Sequence, residues 1–346
     1  MIRFNSDYME GCHPLILKRL SETNFEKRVG YGYDDLCQSA REKICVACDA
    51  PDAKVFFLVG GTQTNAFVID AVLDACDGVL CVDSGHISGP EAGAVECWGH
   101  KVLTIPAQDG KITAQGIKKY CNDFYADRYH YSHCHMVAPG MVYISHPTEI
   151  GTIYTKSELT AIKRVCEEFN LALFIDGARL GYGIVAEGSD LTLPDIARLC
   201  DVFYIGGTKV GAMFGEAVVV TNHNLIKKPI PLIKRHGALL AKGWLLGMQF
   251  DTLFTDNLYL NISKNAVDCA MRMRREFNNR GYRCYVDSPT NQQFVILPND
   301  VLNYIKPNVD YTFWEHYDEC NTVVRLVTSW ATTQEQIDEL ISYLPR

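Results

Sequence analysis

Short apolar runs alternate with helix-like segments from residue 54 to residue 209, and this alternation limits the fold more than any other feature. The candidate strands are KVFFLV (54–59), GVLCVD (78–83), KVLTIP (101–106), MVYISH (141–146), LALFID (171–176) and VFYI (202–205). Strands that alternate with helices require crossover connections, which predict a mostly parallel sheet covered by helices on both faces. The run EAVVV (216–220) follows too closely for a crossover, so we expect it to lie antiparallel to its neighbour.

The pattern changes near residue 250. A long polar helix (257–280) is followed by short strands near 282–286, 294–297 and 323–327, and by a last helix (334–344). We therefore predict a large α/β domain over residues 1–248, which includes an irregular N-terminal segment, and a smaller C-terminal α+β domain over residues 249–346.

Charge and hydropathy exclude some classes of function. The formal net charge is -8, and no basic stripe with interleaved aromatic residues is present, which argues against a nucleic-acid surface. No apolar run approaches about 18 residues, and the first residues do not resemble a secretory leader. The 14 cysteines are scattered through predicted helices and strands, so we expect reduced core residues, no disulfide framework and a cytoplasmic protein.

Lys209 is the first candidate for chemistry. It follows the apolar run 202–205 and the pair Gly206-Gly207, so it should lie at the end of a buried strand, where open α/β sheets bind ligands. Apolar surroundings lower the pKa of a lysine and favour the neutral amine that condenses with a carbonyl. The functional interpretation is a Schiff-base lysine. The alternative is an ordinary lysine whose charge lies in water.

Asp176 closes the strand LALFID, where few groups could solvate a carboxylate. Burial without a partner would be costly, so the residue needs a cationic or donor group. Arg179, three residues further on, is one candidate partner in a purely structural pair. The protonated nitrogen of a pyridine ring is the other, because an anion there keeps the ring able to accept electrons.

Two further strand ends complete a pattern. GGTQTN (60–65) lies between a strand and a helix, where glycines and free amides can bind phosphate, although such turns are also common without a ligand. His86 follows the next strand, and its ring could stack on a flat cofactor or simply lie at the surface. With Asp176 and Lys209, these features match the phosphate, ring face, ring nitrogen and aldehyde of pyridoxal phosphate.

The chain resembles the low-specificity L-threonine aldolases, which are fold-type-I pyridoxal-phosphate enzymes. The resemblance extends over nearly the whole length, and the order and spacing of the motifs make it specific. The motifs are NSD (5–7), YGYDD (31–35), GGTQTN (60–65), GHI with EAGA (85–94), TEIGTIYT (148–155), DGARLG (176–181), GGTK (206–209) and RLVTSW (325–330).

The resemblance implies a role for each matched residue around pyridoxal 5'-phosphate. Lys209 would carry the cofactor aldehyde, Asp176 would face the ring nitrogen and His86 the ring face, while Gly61 and Thr62 would bind the phosphate.

The resemblance also implies contacts to the substrate. Ser6, Arg179 and Arg325 would meet the substrate carboxylate or a cofactor oxygen, and a guanidinium fork suits a carboxylate well. Lys242 falls where the family has a basic residue that reaches a phosphate in the neighbouring subunit. The family therefore implies a homo-oligomer, a dimer or a homotetramer built as a dimer of dimers, with active sites shared between subunits.

One departure from the family leaves the base for the substrate hydroxyl open. Many members carry a histidine after the strand that MVYISH matches, whereas Glu149 stands nearest here and His146 precedes it by three residues. The candidates are His86, Glu149, His146 and a bound water, and the preference for threo or erythro substrates is open with them.

The activity implied is cleavage of the Cα–Cβ bond of L-threonine or L-allo-threonine to glycine and an aldehyde, a carbon–carbon lyase reaction. A pyridoxal-phosphate β-eliminating lyase on the same scaffold is the alternative, because fold and cofactor contacts do not fix the reaction. A different class also fits part of the pattern, namely a cofactor-free sugar-binding or regulatory protein in which Lys209, Asp176 and Arg179 form a buried ion network.

The stretch YHYSHCH (129–135) contains several possible metal ligands. Zinc sites usually space their ligands by two or more residues, and adjacent positions on a strand point to opposite faces. We therefore expect no metal site there and interpret the stretch as a polar loop.

Overall fold

The computed structural model describes residues 1–107, 109–127, 129 and 131–345. The strands are β1 (Ile2–Arg3), β2 (Lys54–Leu58), β3 (Asp77–Val82), β4 (Lys101–Ile105), β5 (Ala138–Ser145), β6 (Ala172–Asp176), β7 (Val202–Gly206), β8 (Glu216–Val220), β9 (Arg283–Cys284), β10 (Gln292–Pro298), β11 (Val309–Asp310), β12 (Thr312–His316) and β13 (Asn321–Val327). The α-helices are α1 (Pro14–Thr23), α2 (Asp35–Ala47), α3 (Gly61–Val72), α4 (Ala114–Phe124), α5 (Lys156–Glu168), α6 (Leu180–Ile184), α7 (Leu193–Leu199), α8 (Pro229–Arg235), α9 (Trp244–Leu253), α10 (Leu258–Asn279), α11 (Asn299–Ile305) and α12 (Gln334–Tyr343).

The central sheet has seven strands in the order β2-β8-β7-β6-β5-β3-β4. The neighbours from β7 to β4 are all parallel, whereas β8 is antiparallel to both β7 and β2. The predicted mostly parallel sheet and the antiparallel position of the run 216–220 are therefore confirmed.

Helices cover both faces of this sheet, and the alternation of side chains along β6 shows why its sequence is apolar throughout. Leu173 and Ile175 belong to one buried core, while Ala172 and Phe174 belong to a second core on the opposite face. Because successive side chains on a strand point to opposite faces, a strand buried on both sides must be apolar at nearly every position.

The smaller sheet, in the order β12-β13-β10-β9, is antiparallel and has its own core. The first residues of the chain join this part of the molecule: β1 pairs with β11, and Ile2 and Phe4 lie in the smaller core. Helix α9 runs through the predicted division at residue 248. The N-terminal strand therefore lies on the side of the smaller sheet, and the division into two domains stays a prediction.

Two local predictions differ from the structure. The apolar residues Ile69, Val72, Leu73 and Cys76 fall at helical spacing and predict a helix that reaches about Cys76, but α3 ends at Val72, because Leu73 adopts an extended backbone. All 14 cysteines are free, and Cys166 is buried as expected, but four of them, including Cys76, are exposed and do not fill the core. The exposed cysteines lie outside the α-helices and β-strands, at positions that the sequence pattern did not distinguish.

Within the described parts of the chain, no helix combines the length and the apolar character that a membrane span would need.

The ends of several strands meet at one edge of the central sheet. Strands β2, β3, β5, β6 and β7 all run in the same sense and end at that edge. The carboxyl ends of such strands are where open α/β sheets bind ligands.

Candidate active site

A cavity of about 270 Å³ lies at this edge of the sheet. It brings together most of the residues that the sequence singled out, namely Gly61, Thr62, His86, Glu149, Asp176, Arg179 and Lys209. Ser6, Arg325 and Lys242 do not line it. Residues that are far apart in sequence therefore converge on one space, as the positions of the strand ends predicted.

Lys209 is half-buried in the wall of this cavity. Burial lowers the pKa of its amine, and the nearby Arg179 lowers it further, while Asp7, Asp176 and Glu216 act in the opposite direction. No described residue forms a hydrogen bond or an ion pair with Nζ. The net effect lowers the pKa of the Lys209 amine and favours its neutral form, as its sequence context predicted.

Asp176 is buried and accepts hydrogen bonds from several elements at once. Tyr204 Oη and the Ala178 amide donate to Oδ1 at 2.5 and 2.9 Å, while Tyr143 Oη and Asn65 Nδ2 donate to Oδ2 at 2.6 and 3.0 Å. Burial first and Asp176 second raise the pKa of both phenols well above the usual value, so both keep their protons and act as donors.

Arg179 does not pair with Asp176, which corrects one structural alternative. Its Nε and Nη2 bind the two oxygens of Asp7 at 2.7 and 2.9 Å, and Asn291 donates to the same carboxylate. Burial alone would raise the pKa of Asp7, but Arg179, Lys209 and Asn291 outweigh it and hold the pKa below its ordinary value. A buried ion network of Lys209, Asp176 and Arg179 is therefore not formed.

Glu149 and His86 occupy the side of the cavity beyond β3 and β5. Glu149 Oε1 accepts hydrogen bonds from Ser145 Oγ at 2.6 Å and from the His86 amide at 2.9 Å. Burial raises the pKa of Glu149 above its ordinary value, although these two donors oppose the rise. No described residue donates to the second oxygen, Oε2.

His86 is about 39% exposed at its side chain, and its Nδ1 lies 2.6 Å from Glu91 Oε1. This hydrogen bond raises the pKa of His86 above its ordinary value, while burial opposes the rise. The imidazole is thus held on the cavity wall by a carboxylate behind it.

His146, another candidate base, lies away from the cavity. It is fully buried, its Nδ1 accepts a hydrogen bond from the Tyr154 amide, and burial lowers its pKa to about 4. Its neighbours Ser145 and Pro147 line the cavity instead, because alternate side chains of an extended segment face opposite sides.

The first turn of α3 forms another part of the wall. Its N-cap, Gly60, has no capping side chain, so the amides of the first turn are not satisfied by a side chain from that position. Gly60, Gly61 and Thr62 line the cavity. Free amides and the positive end of a helix dipole suit a phosphate group.

Ser6 and Arg325 come from the side of the smaller sheet. Arg325 Nη1 and Nη2 form long hydrogen bonds to Gln292 and to the Asn5 carbonyl, while its Nε and Ser6 Oγ are buried without a hydrogen-bond partner. Burial and the nearby Arg179 lower the pKa of Arg325. Unpaired buried donors of this kind suit an anion that the chain itself does not provide.

Lys242 is exposed and lies outside the cavity. A single chain therefore gives it no role in the site. Its predicted contact with a neighbouring subunit stays a prediction.

The stretch 129–135 is exposed at Tyr129, Tyr131, Cys134 and His135, and His130 lies outside the described residues. In the part of the chain that is described, no group of three or more His, Cys, Asp or Glu side chains could hold a metal ion.

Several residues of the site were not identified from the sequence. They are Asp7, Asn65, Glu91, Tyr143, Ser145, Tyr204 and Glu216, all of which line the cavity or contact a residue that does. Asp7 and Asn65 lie inside the quoted motifs NSD and GGTQTN, so a polar residue at the end of each motif was an available signal. Tyr143 and Tyr204 lie in apolar strands, where nothing marks them as donors to Asp176.

The chain is similar to known proteins over nearly its full length. The family model described as beta-eliminating lyase matches residues 4–282. A low-specificity L-threonine aldolase of Pseudomonas aeruginosa is 27% identical, over 98% of this chain and 95% of its own length. The solved structure of a Leishmania major threonine aldolase is 40% identical with a TM-score of 0.95, over 99% of this chain and 98% of that one.

A more distant likeness concerns the fold alone. An aspartate aminotransferase variant of Thermus thermophilus has a TM-score of 0.70 at 13% identity, over 99% of this chain and 90% of that one. The scaffold is thus shared by enzymes whose reactions differ, so the reaction must be argued from the site.

The buried pair of Asp7 and Arg179 generates a first prediction. Asp7→Asn should lower the free energy of unfolding by about 3 kcal/mol or more, because it leaves a buried guanidinium without its counter-charge. Denaturant titration of the purified protein measures this change. The matched control is Asp268→Asn, which removes an exposed ion pair with Lys264 and should cost only about 0.5 kcal/mol. An equally small loss of unfolding free energy in the two variants would contradict a buried ion pair between Asp7 and Arg179.

Proposed function

The chain belongs to the beta-eliminating lyase family, and we propose that it acts in that family as a threonine aldolase dependent on pyridoxal phosphate. It is a carbon–carbon lyase that cleaves L-threonine or L-allo-threonine between Cα and Cβ and releases glycine and acetaldehyde. The observation that supports this proposal best is the convergence of Lys209, Asp176, His86 and the first turn of α3 on one cavity.

The residues present fit pyridoxal phosphate. Lys209 offers an amine without an internal partner, the first turn of α3 offers amides without a side-chain cap, and Asp176 offers a carboxylate held in place by four hydrogen-bond donors. When bound, the cofactor supplies an electron-accepting ring that stabilises negative charge at the substrate Cα. We assign Lys209 to the cofactor aldehyde, Gly61 and Thr62 to its phosphate and Asp176 to its ring nitrogen.

The donors around Asp176 explain how that carboxylate keeps its charge. All four neighbours donate hydrogen bonds, so an ionised acceptor satisfies each of them and a protonated acid would not. A fixed negative charge here would keep the ring nitrogen of the cofactor protonated. His86 also lines this cavity, where its ring can cover a flat ligand.

The substrate carboxylate requires donors that the chain leaves available. Arg179 lines the cavity, and its Nη1 stays available because Asp7 binds only Nε and Nη2. Ser6 Oγ and Arg325 Nε are buried without a hydrogen-bond partner. We assign these three residues to the carboxylate. Holding it at several points orients the Cα–Cβ bond, which is the main way an enzyme of this kind selects the bond that breaks.

Glu149 is our candidate for the base that takes the proton from the substrate hydroxyl. It lines the cavity, its Oε1 is fixed by Ser145 and the His86 amide, and its Oε2 receives no hydrogen bond from a described residue. Burial raises its pKa and so makes it a better proton acceptor than an exposed carboxylate. As the hydroxyl proton passes to Oε2, the Cα–Cβ bond breaks, its electron pair stays on the substrate Cα, and the Cβ fragment leaves as an aldehyde.

We also propose an assembly and a location. Lys242, which is exposed, would reach the phosphate site of a neighbouring subunit in a homotetramer built as a dimer of dimers. Fourteen free cysteines are consistent with a reducing compartment and support a cytoplasmic location.

Product analysis tests the proposed reaction. The purified protein supplied with pyridoxal phosphate should convert L-threonine or L-allo-threonine to equal amounts of glycine and acetaldehyde, as measured by amino-acid analysis and a coupled alcohol dehydrogenase assay. Lys209→Ala should abolish the conversion, because no other described lysine lines the cavity. Formation of an α-keto acid and ammonia without glycine would instead favour a β-eliminating lyase.

The role of Glu149 predicts a pH dependence. The carboxylate must be ionised to accept a proton, so kcat/KM should fall with decreasing pH below a midpoint that lies above the ordinary value of about 4.3. Glu149→Gln should reduce kcat/KM about 100-fold or more and remove this acidic limb. The exposed Glu187→Gln is the control and should leave the profile unchanged. An acidic limb that persists at the same midpoint in Glu149→Gln would assign the base to another group.

Shared active sites predict complementation between two inactive variants. Lys209→Ala and Lys242→Ala homo-oligomers should each have low activity, while a mixture that exchanges subunits should recover part of it, because hybrids contain one intact site. Activity before and after exchange measures the effect, and mass spectrometry of tagged subunits verifies the exchange. No recovery after verified exchange would show that Lys242 does not act across a subunit contact.

A further inference from the structure

A continuous hydrogen-bonded chain of side chains runs along one wall of the cavity. His86 Nδ1 lies 2.6 Å from Glu91 Oε1, and Asn65 Nδ2 donates to the same oxygen at 2.7 Å. The second proton of Asn65 Nδ2 points to Asp176 Oδ2 at 3.0 Å. An amide nitrogen with two protons therefore bridges two carboxylates, and the chain connects the His86 imidazole to Asp176.

Glu91 needs a cationic partner in this position. It is only 4% exposed, its Oε2 has no hydrogen-bond partner, and among the described residues His86 is the one group that forms an ion pair with it. A buried carboxylate without a counter-charge is costly. The most stable state of the Glu91–His86 pair is therefore a carboxylate that faces a protonated imidazole.

The other charged groups around His86 act in both directions. Asp176 on β6 favours the protonated imidazole, and the Glu149 carboxylate, bound to the His86 amide, adds a further negative charge after β5. Lys209, after β7, opposes protonation. Burial also opposes protonation, but the two further negative groups outnumber the one lysine and act in the same direction as the direct bond to Glu91.

We propose that Glu91 is a positioning residue that holds His86 as an imidazolium on the cavity wall, with Asn65 fixing this ion pair relative to Asp176. The inference rests on the proposed function for its role in the reaction. An imidazolium carries a proton on both nitrogens and has no acceptor. His86 can therefore donate a hydrogen bond to a ligand but cannot take the hydroxyl proton, which leaves that step to Glu149.

NMR titration of histidine Cε1–H signals tests the ion pair directly. In the full-length protein labelled at histidine Cε1, the His86 signal is identified as the one that His86→Gln removes. Its midpoint in the wild-type protein should lie above the ordinary value of about 6.5. Glu91→Gln should lower this midpoint by about one to two pH units, the shift expected when one charge-assisted hydrogen bond is lost.

Two controls separate a charge effect from a general disturbance. Glu96→Gln removes a carboxylate from the same loop, but Glu96 is exposed, so the His86 midpoint should stay within a few tenths of a unit. Glu91→Asp keeps the charge and should restore part of the shift. The His236 signal, which reports a separate contact with Asp70 at 2.8 Å, should remain unchanged in all of these variants.

The outcomes are decisive even if Glu91→Gln does not fold. A wild-type His86 midpoint at or below about 6.5 would overturn the proposal without any variant. An unchanged midpoint in a folded Glu91→Gln protein would overturn it as well. Both readouts can be obtained without cofactor or substrate, so failure here is distinguishable from failure of the proposed aldolase activity.

The pH profile of kcat/KM completes the test. If His86 is an imidazolium that does not act as the base, the fall of kcat/KM at acidic pH should keep its midpoint in Glu91→Gln, although the maximum value of kcat/KM decreases. A limb that moves down together with the His86 NMR midpoint would identify His86 as the base and overturn that part of the proposal.

Discussion

The buried carboxylate of Asp176 is the group on which the rest of the site depends. At the end of β6 it lies beyond the reach of bulk water, so its charge has to be stabilised by donors from the surrounding elements. Those donors come from α3, β5, β7 and the loop after β6. The same hydrogen bonds that stabilise the charge therefore also hold the strand ends and the first helix of the cavity in register.

The separation of charges explains why Lys209 can be reactive. Arg179, the cation nearest to Asp176 in sequence, is bound by Asp7 from the N-terminal segment, so it neither neutralises Asp176 nor leaves Asp7 to pair with the lysine. Lys209 is half-buried and lies near this cation, and both effects lower its pKa. The N-terminal segment, which pairs with the smaller sheet, thus contributes directly to the electrostatics of a cavity in the larger one.

The sequence predicted the residues whose positions follow from strand ends, because apolar runs and glycines mark those ends clearly. Lys209, Asp176 and the GGT turn belong to this class. It did not predict Asp7, Glu91 or the phenols of Tyr143 and Tyr204, since their roles depend on contacts between segments that periodicity does not connect. Arg179, which the sequence left open as one candidate partner of Asp176, binds Asp7 instead, because the position of the N-terminal segment decides this contact and proximity in sequence does not.

We propose that one amine, Lys209, binds the cofactor aldehyde in a cavity that Asp176 also lines. Borohydride reduction of the protein reconstituted with pyridoxal phosphate, followed by proteolysis and peptide mass spectrometry, tests it most directly. We expect loss of the visible absorption band and a reduced cofactor attached at Lys209. A protein without such a band, or a cofactor attached at a different lysine, would contradict it.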